Sequence, residues 1–197
     1  MADKVVNPAP LGLMGFGLTT ILLNLVNAGL IGIDALGVIL SMGIFYGGLA
    51  QVIAGLLEAR RGNTFGATAF TSYGLFWFSF VAVNFLPALS LSEAASPASM
   101  AAYLIVWGVF TALLTIATFR MNRALQVVFI SLTALFFILA LGDLTSSAMV
   151  KVIGGYEGIF CGSSAVYLAI AGILNEVYGG EVLPIGVVGR GTTKPGE

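Results

Sequence analysis

Apolar stretches free of charge recur along the chain at 10–30, 35–57, 64–89, 101–119, 124–141 and 158–175. An α-helix crosses the roughly 30 Å hydrocarbon layer of a bilayer in about 20 residues, so each stretch is long enough, or nearly so, to span. The runs are continuous instead of alternating, which argues against transmembrane β-strands, and irregular backbone cannot face lipid. The pattern predicts an all-α integral membrane protein of six transmembrane helices, arranged as three helical hairpins around a central pore. It divides the chain into an N-terminal stretch 1–9, a transmembrane domain 10–178 and a tail 179–197. The first nine residues are too short and too weakly basic for a signal peptide, so the first run is expected to remain as a helix.

Charge sets the expected orientation. Lys4, Arg60, Arg61, Arg120, Arg123, Arg190 and Lys194 fall on the side shared by both termini, and Lys151 alone falls opposite. The positive-inside rule then puts both termini in the cytoplasm of a multi-pass protein of the cytoplasmic membrane. With 58% hydrophobic residues, 9% charged residues and a mean hydropathy of +1.03, lipid is the expected solvent and partner. A net charge of −1 with scattered cations gives no stripe for nucleic acid. One cysteine, Cys161, and no histidine leave no basis for a zinc site, a His-based triad or a cofactor, and no enzyme activity is expected.

A repeat links the three hairpins. Asn7, Asn63 and Asn122 stand at the starts of the first, third and fifth helices, whereas the partner helices are expected to begin near the acids Asp34, Glu93 and Glu157. Asparagine is a preferred N-cap, which accounts for each residue taken alone. A helix start also carries about half a positive charge, which an acid would offset and an asparagine leaves available, so three such starts would attract an anion. Phe16, Tyr73 and Leu132 follow these asparagines by nine, ten and ten residues. Ten residues rise about 15 Å, half the hydrocarbon thickness, so the three side chains would meet at the midplane as an apolar constriction.

Polar side chains that could bind a permeant surround these levels: Thr19, Thr20, Asn24 and Asn27; Thr71 and Ser72; Ser131; and Ser163 and Ser164. Hydroxyls in membrane helices equally serve to tie helices together, but a buried amide such as Asn24 or Asn27 belongs at a wet path or a protein contact. Glu58 and Glu176 sit at helix C-termini, where the dipole disfavours them. A salt bridge to Arg60, Arg61 or another loop cation is the plain expectation, and a proton-linked role the functional one, with Glu176 the candidate. No Lys or Arg is expected inside a span, so an anion would bind weakly and leave readily. Gly43–Gly47 and Gly158–Gly162 have GxxxG spacing and are expected to pack helices within or between subunits.

The segment Asn7-Pro8-Ala9-Pro10-Leu11-Gly12-Leu13, with Gly15-Phe16-Gly17 after it, resembles the N-terminal signature of the acetate uptake transporter family, also called the succinate-acetate permease family. The likeness continues through Gly43-Ile44-Phe45-Tyr46-Gly47-Gly48, Gly62-Asn63-Thr64-Phe65-Gly66, Phe70-Thr71-Ser72-Tyr73-Gly74 and Leu174-Asn175-Glu176, and spans about 5–186. It implies six helices and a pore per protomer, assembly into a homohexamer, and transport of acetate, with succinate or related carboxylates, by a proton-linked permease or an anion channel. It also implies an apolar gate of Phe16, Tyr73 and Leu132, with Ser163 standing where the bacterial pattern has alanine. The tail from Val187 is outside the likeness and is expected to be disordered. A neutral-solute channel resembling aquaporins is the competing expectation, suggested by the Asn7-Pro8-Ala9 tripeptide.

Overall fold

A computed structural model of the chain describes residues 6–188; Lys4, Arg190 and Lys194 lie outside the described residues. Among the described residues, six helices are long and apolar enough to cross a membrane. Helix α1 (Ala9–Asn27) is the first. The second span is composite: a 3₁₀ turn (Ile33–Ala35), α2 (Leu36–Met42), a π-helical stretch (Gly43–Ala50) and α3 (Gln51–Arg60). Then come α4 (Thr64–Ala88), α5 (Pro97–Thr118), α6 (Arg123–Thr145) and α7 (Ala148–Tyr178).

The sixth span differs from the expectation. Helix α7 begins at Ala148, capped by the Ser147 hydroxyl accepting from the Val150 N–H, and not near residue 158. A charge marks where an apolar run stops but does not stop a helix, and Lys151 is accommodated by an ion pair with Asp143 at 2.7 Å. Lys151 and Glu157 therefore lie inside a 31-residue helix. The expected contrast between neutral and acidic helix starts holds only at Asp34, in its 3₁₀ turn, because α5 is capped by Ser96 and not by Glu93.

Small residues set the helix spacing. Gly17 of α1 faces Gly162 of α7, and a Cβ on either would come within 2.7 Å of the other's carbonyl oxygen. A Cβ on Gly47 would meet the Trp77 ring at 2.8 Å, and one on Gly43 would meet Val81 at 2.9 Å. Both GxxxG pairs thus pack within the protomer. Helix α1 lies on α7, α7 on α6, α6 on α5 and α3 on α4. The outward face of α5 stays apolar and bare, with Val106, Leu113 and Ile116 each at least 64% exposed. Such a surface suits lipid or another subunit.

After α7 the chain turns back at Gly179, whose φ of +69° suits glycine. Asn175 accepts from the N–H groups of Val182 and Leu183 and donates to the Leu183 carbonyl, while the Tyr167 hydroxyl donates to the Pro184 carbonyl. Val187 bridges to Asn122, and the Val188 N–H donates to Met121. The segment to residue 188 is thus a strap on the bundle; of the tail expected to be disordered, Val187 and Val188 are seated on it, and the stretch beyond 188 lies outside the described residues.

Candidate functional site

Two chambers lie inside the bundle. The near chamber, about 220 Å³, sits among the starts of α1, α4 and α6 and is lined by Asn7, Asn63 and Asn122. The far chamber, about 330 Å³, is lined by polar residues that include Thr20, Asn24, Asn27 and Asn84, with Asp143 and Lys151. Phe16 and Leu132 are common to the two linings, and Tyr73 lines the near chamber. The Phe16 and Tyr73 ring centroids are 6.0 Å apart. All three residues are at most 6% exposed. Three helices of the repeat therefore bring Phe16, Tyr73 and Leu132 to the boundary region of the two cavities.

Local packing explains how. Gly15 and Gly17 flank Phe16 and let α1 press against the Tyr46 and Gly162 carbonyls, where any Cβ would collide. That close seating turns Phe16 inward. The Tyr73 hydroxyl donates to Thr111 at 2.9 Å, and Thr111 donates onward to the Trp107 carbonyl at 2.8 Å. With its polar end tied to α5 and its ring packed at 5.7 to 6.3 Å from Phe110, Phe129 and Trp107, Tyr73 presents hydrocarbon to the near chamber.

Each asparagine of the repeat serves a helix start. Asn7 accepts from the Ala9 N–H and from Arg61, Asn63 from the Gly66 N–H, and Asn122 from the Leu125 N–H. Asn63 also donates to Glu58 at 2.9 Å, and Glu58 pairs with Arg61 at 3.9 Å, as the plain expectation for that acid had it. The third start is not open to an anion. The strap closes it, because the Arg123 and Ala124 N–H groups donate to the Gly186 and Ile185 carbonyls.

Of the polar candidates, Thr20, Asn24 and Asn27 line the far chamber. Thr19, Thr71, Ser72, Ser131, Ser163 and Ser164 line neither chamber. The reason is local for most of them. Thr19, Ser131, Ser163 and Ser164 donate to carbonyls three or four residues back on their own helices, at 2.7 to 3.1 Å, and Thr71 lies against Gly55. Ser163 is exposed, as is Glu176, which also lies outside both linings.

Outside the sequence-based site candidates, Gln51, Trp77 and Glu157 carry buried polar atoms without a hydrogen-bond partner, and Glu58, Asp143 and Lys151 line a chamber with charge. Gln51, 1% exposed, lines the near chamber with its Oε1 unpartnered, and Trp77 Nε1 is unpartnered beside the far chamber. Thr20 Oγ1 shares that condition. Lys151, expected in a loop, lines the far chamber. A buried amide in an otherwise apolar run was the signal available for Gln51, since such a group is costly unless it serves a contact or a path. Among the described residues no group of three His, Cys, Asp or Glu side chains gathers as a metal site.

A six-span bundle enclosing two chambers separated by apolar side chains is a polytopic helical membrane protein. More narrowly, the chain belongs to the GPR1/FUN34/yaaH family, whose model matches residues 1–179. It is 54% identical over 183 residues to the succinate-acetate/proton symporter SatP of Escherichia coli K12, covering 93% of this chain and 96% of that one. It is 34% identical to acetate permease A of Emericella nidulans, covering 93% of this chain and 67% of the permease. The solved structure described as the bacterial acetate channel SatP superposes with a TM-score of 0.90 at 54% identity, covering 93% of this chain and all of that one.

Proposed function

We propose that this protein moves acetate and related short-chain carboxylates, succinate among them, across the cytoplasmic membrane, through a path in each protomer that joins the two chambers past Phe16, Tyr73 and Leu132. The observation that carries the reading is that Phe16 and Leu132 border both chambers, with the Tyr73 ring beside them and its hydroxyl turned away. An apolar neck of this kind resists hydrated ions while admitting a small permeant that presents a methyl group. Thr20 and Trp77 on the far side hold an unpartnered hydroxyl and indole N–H that donate to a carboxylate, and the unpartnered Gln51 Oε1 on the near side accepts from water that travels with it. None of these three groups is a fixed charge, so the bonds they themselves offer are weak and readily exchanged.

Arg60, Arg61, Arg120 and Arg123 gather on the side of the near chamber, which makes that side cytoplasmic under the positive-inside rule. The bare apolar faces of the helices suit lipid and a homohexamer, with each protomer keeping its own path. Two modes remain to be told apart, a passive anion channel and a proton-linked permease. Acetate flux in proteoliposomes, under an imposed voltage and separately under an imposed pH gradient, tests both the function and the mode. Current without proton movement identifies a channel, flux driven by the pH gradient identifies a permease, and absence of acetate flux under both gradients refutes the proposal. Equal passage of glycerol would favour the neutral-solute alternative, for which Asn7-Pro8-Ala9 at the opening of α1 offers a single tripeptide.

A further inference from the structure

The Asp143–Lys151 pair is placed against the interest of its helices. Asp143 lies in the last turn of α6 and Lys151 in the opening turn of α7, so each charge sits at the end where the helix dipole disfavours it. Exchanging the two residues would suit both helices better, so stabilising the turn does not explain the arrangement. What the arrangement does achieve is position. The α6–α7 connection is tight, with Ser146 left-handed at φ 52°, and the Lys151 stem lies over Gly142, where a Cβ would meet the Lys151 Cγ at 2.8 Å. The ammonium is held 2.7 Å from Asp143 Oδ1, with the lysine side chain 48% exposed and the aspartate 14% exposed.

Both side chains line the far chamber, and among the described residues the near chamber's lining holds no lysine or arginine. Of the amides in that lining, Asn24 donates to the Thr20 carbonyl, Asn27 to Asn24, and Asn84 to the Phe80 carbonyl, each with one of its two N–H donors, and none carries a charge. An ammonium has three N–H donors, and the bond to Asp143 uses one. We infer that Lys151 is the docking cation for substrate carboxylate at the far chamber, and that Asp143 is a positioning residue that aims the ammonium and offsets its charge so that the anion is caught but not retained. This rests on the transport function proposed above.

The test is acetate uptake by the full chain in proteoliposomes, measured as half-saturating concentration and maximal rate at several ionic strengths. Lys151→Met should raise the half-saturating concentration about threefold, the scale of a half-exposed ion pair, with a smaller change in maximal rate and a weaker dependence on ionic strength. Lys151→Arg should restore both. Asp143→Asn, which leaves the ammonium uncompensated, should lower the half-saturating concentration and slow the maximal rate through slower release. A structural pair would instead lower folded yield in all single variants and leave half-saturation where it was, and that result overturns the inference. If Lys151→Met does not fold, Asp143→Asn decides alone: an unchanged or higher half-saturating concentration overturns it. Wild-type protein without acetate uptake would remove the transport function itself, whereas active wild type with unmoved variants removes only the role of Lys151.

Discussion

Leu132→Ala separates a gate from a packed core in one variant. Leu132 is 3% exposed, yet it borders two cavities, so part of its surface already faces space and not neighbouring atoms. Leu→Ala changes in closed cores cost roughly 2 to 5 kcal/mol, and a side chain that already abuts open volume belongs near the low end, about 2 kcal/mol. The loss of three carbons widens the neck on the α6 side, facing Phe16. Lactate exceeds acetate by one carbon and a hydroxyl, and an apolar site rejects one extra methylene by roughly tenfold or more. If Leu132 sets the opening, the lactate-to-acetate flux ratio should therefore rise by about tenfold in the variant. The assay is uptake of both acids in proteoliposomes, normalised to folded protein by size-exclusion and thermal melting. A folded variant with the wild-type ratio would refute the reasoning and remove Leu132 from the constriction.

Tyr73→Phe removes a hydroxyl that faces Thr111 and not the chamber, so thermal melting should show a loss of about 1 kcal/mol while acetate selectivity holds; altered selectivity would put that hydroxyl in the path. Asn63→Asp sets a second carboxylate against Glu58, where the amide now donates at 2.9 Å, and should lower both stability and acetate flux. Asn122→Asp should do so less, because the strap already occupies the α6 start; equal effects on flux in the two variants would count against this distinction. Native mass measurement in mild detergent should give six copies of the chain, and a clean monomer would sink the hexamer.

The spans were readable because lipid leaves few choices. A run of apolar residues long enough to cross must satisfy its own backbone, and it does so as a helix. The three asparagines were readable for a related reason: helices of one bundle that start at a common level carry residues ten positions later to a common depth, so a repeat in sequence becomes a ring in space. Phe16, Tyr73 and Leu132 come to the boundary of the chambers by that arithmetic, and the helix-start bonds of Asn63 and Asn122 follow from ordinary capping, whereas Asn7 stands one residue before the Pro8 cap and accepts from the Ala9 N–H. The start of α7 was not readable from hydropathy, because a paired lysine can lie in a helix that a hydropathy scan ends before it.

Side-chain direction was the harder part. A serine or threonine on a helix can turn its hydroxyl onto the preceding turn, as Thr19, Ser131, Ser163 and Ser164 do, and then its polarity says nothing about a path. An amide has more groups to satisfy than one carbonyl can meet, so Asn24, Asn27 and Gln51 are the better guides, and each lines a chamber. Gln51 follows the π-helical stretch Gly43–Ala50, where the wider turn shifts the phase of every later residue about the axis. Counting at 3.6 residues per turn from Asp34 would misplace its face. The glycines at 43, 47 and 48 permit that wider turn against Val81, Trp77 and Phe78, whose side chains leave no room for a Cβ. The same bulky packing that sets the second span against α4 thereby determines which side of it the buried amide presents to the chamber.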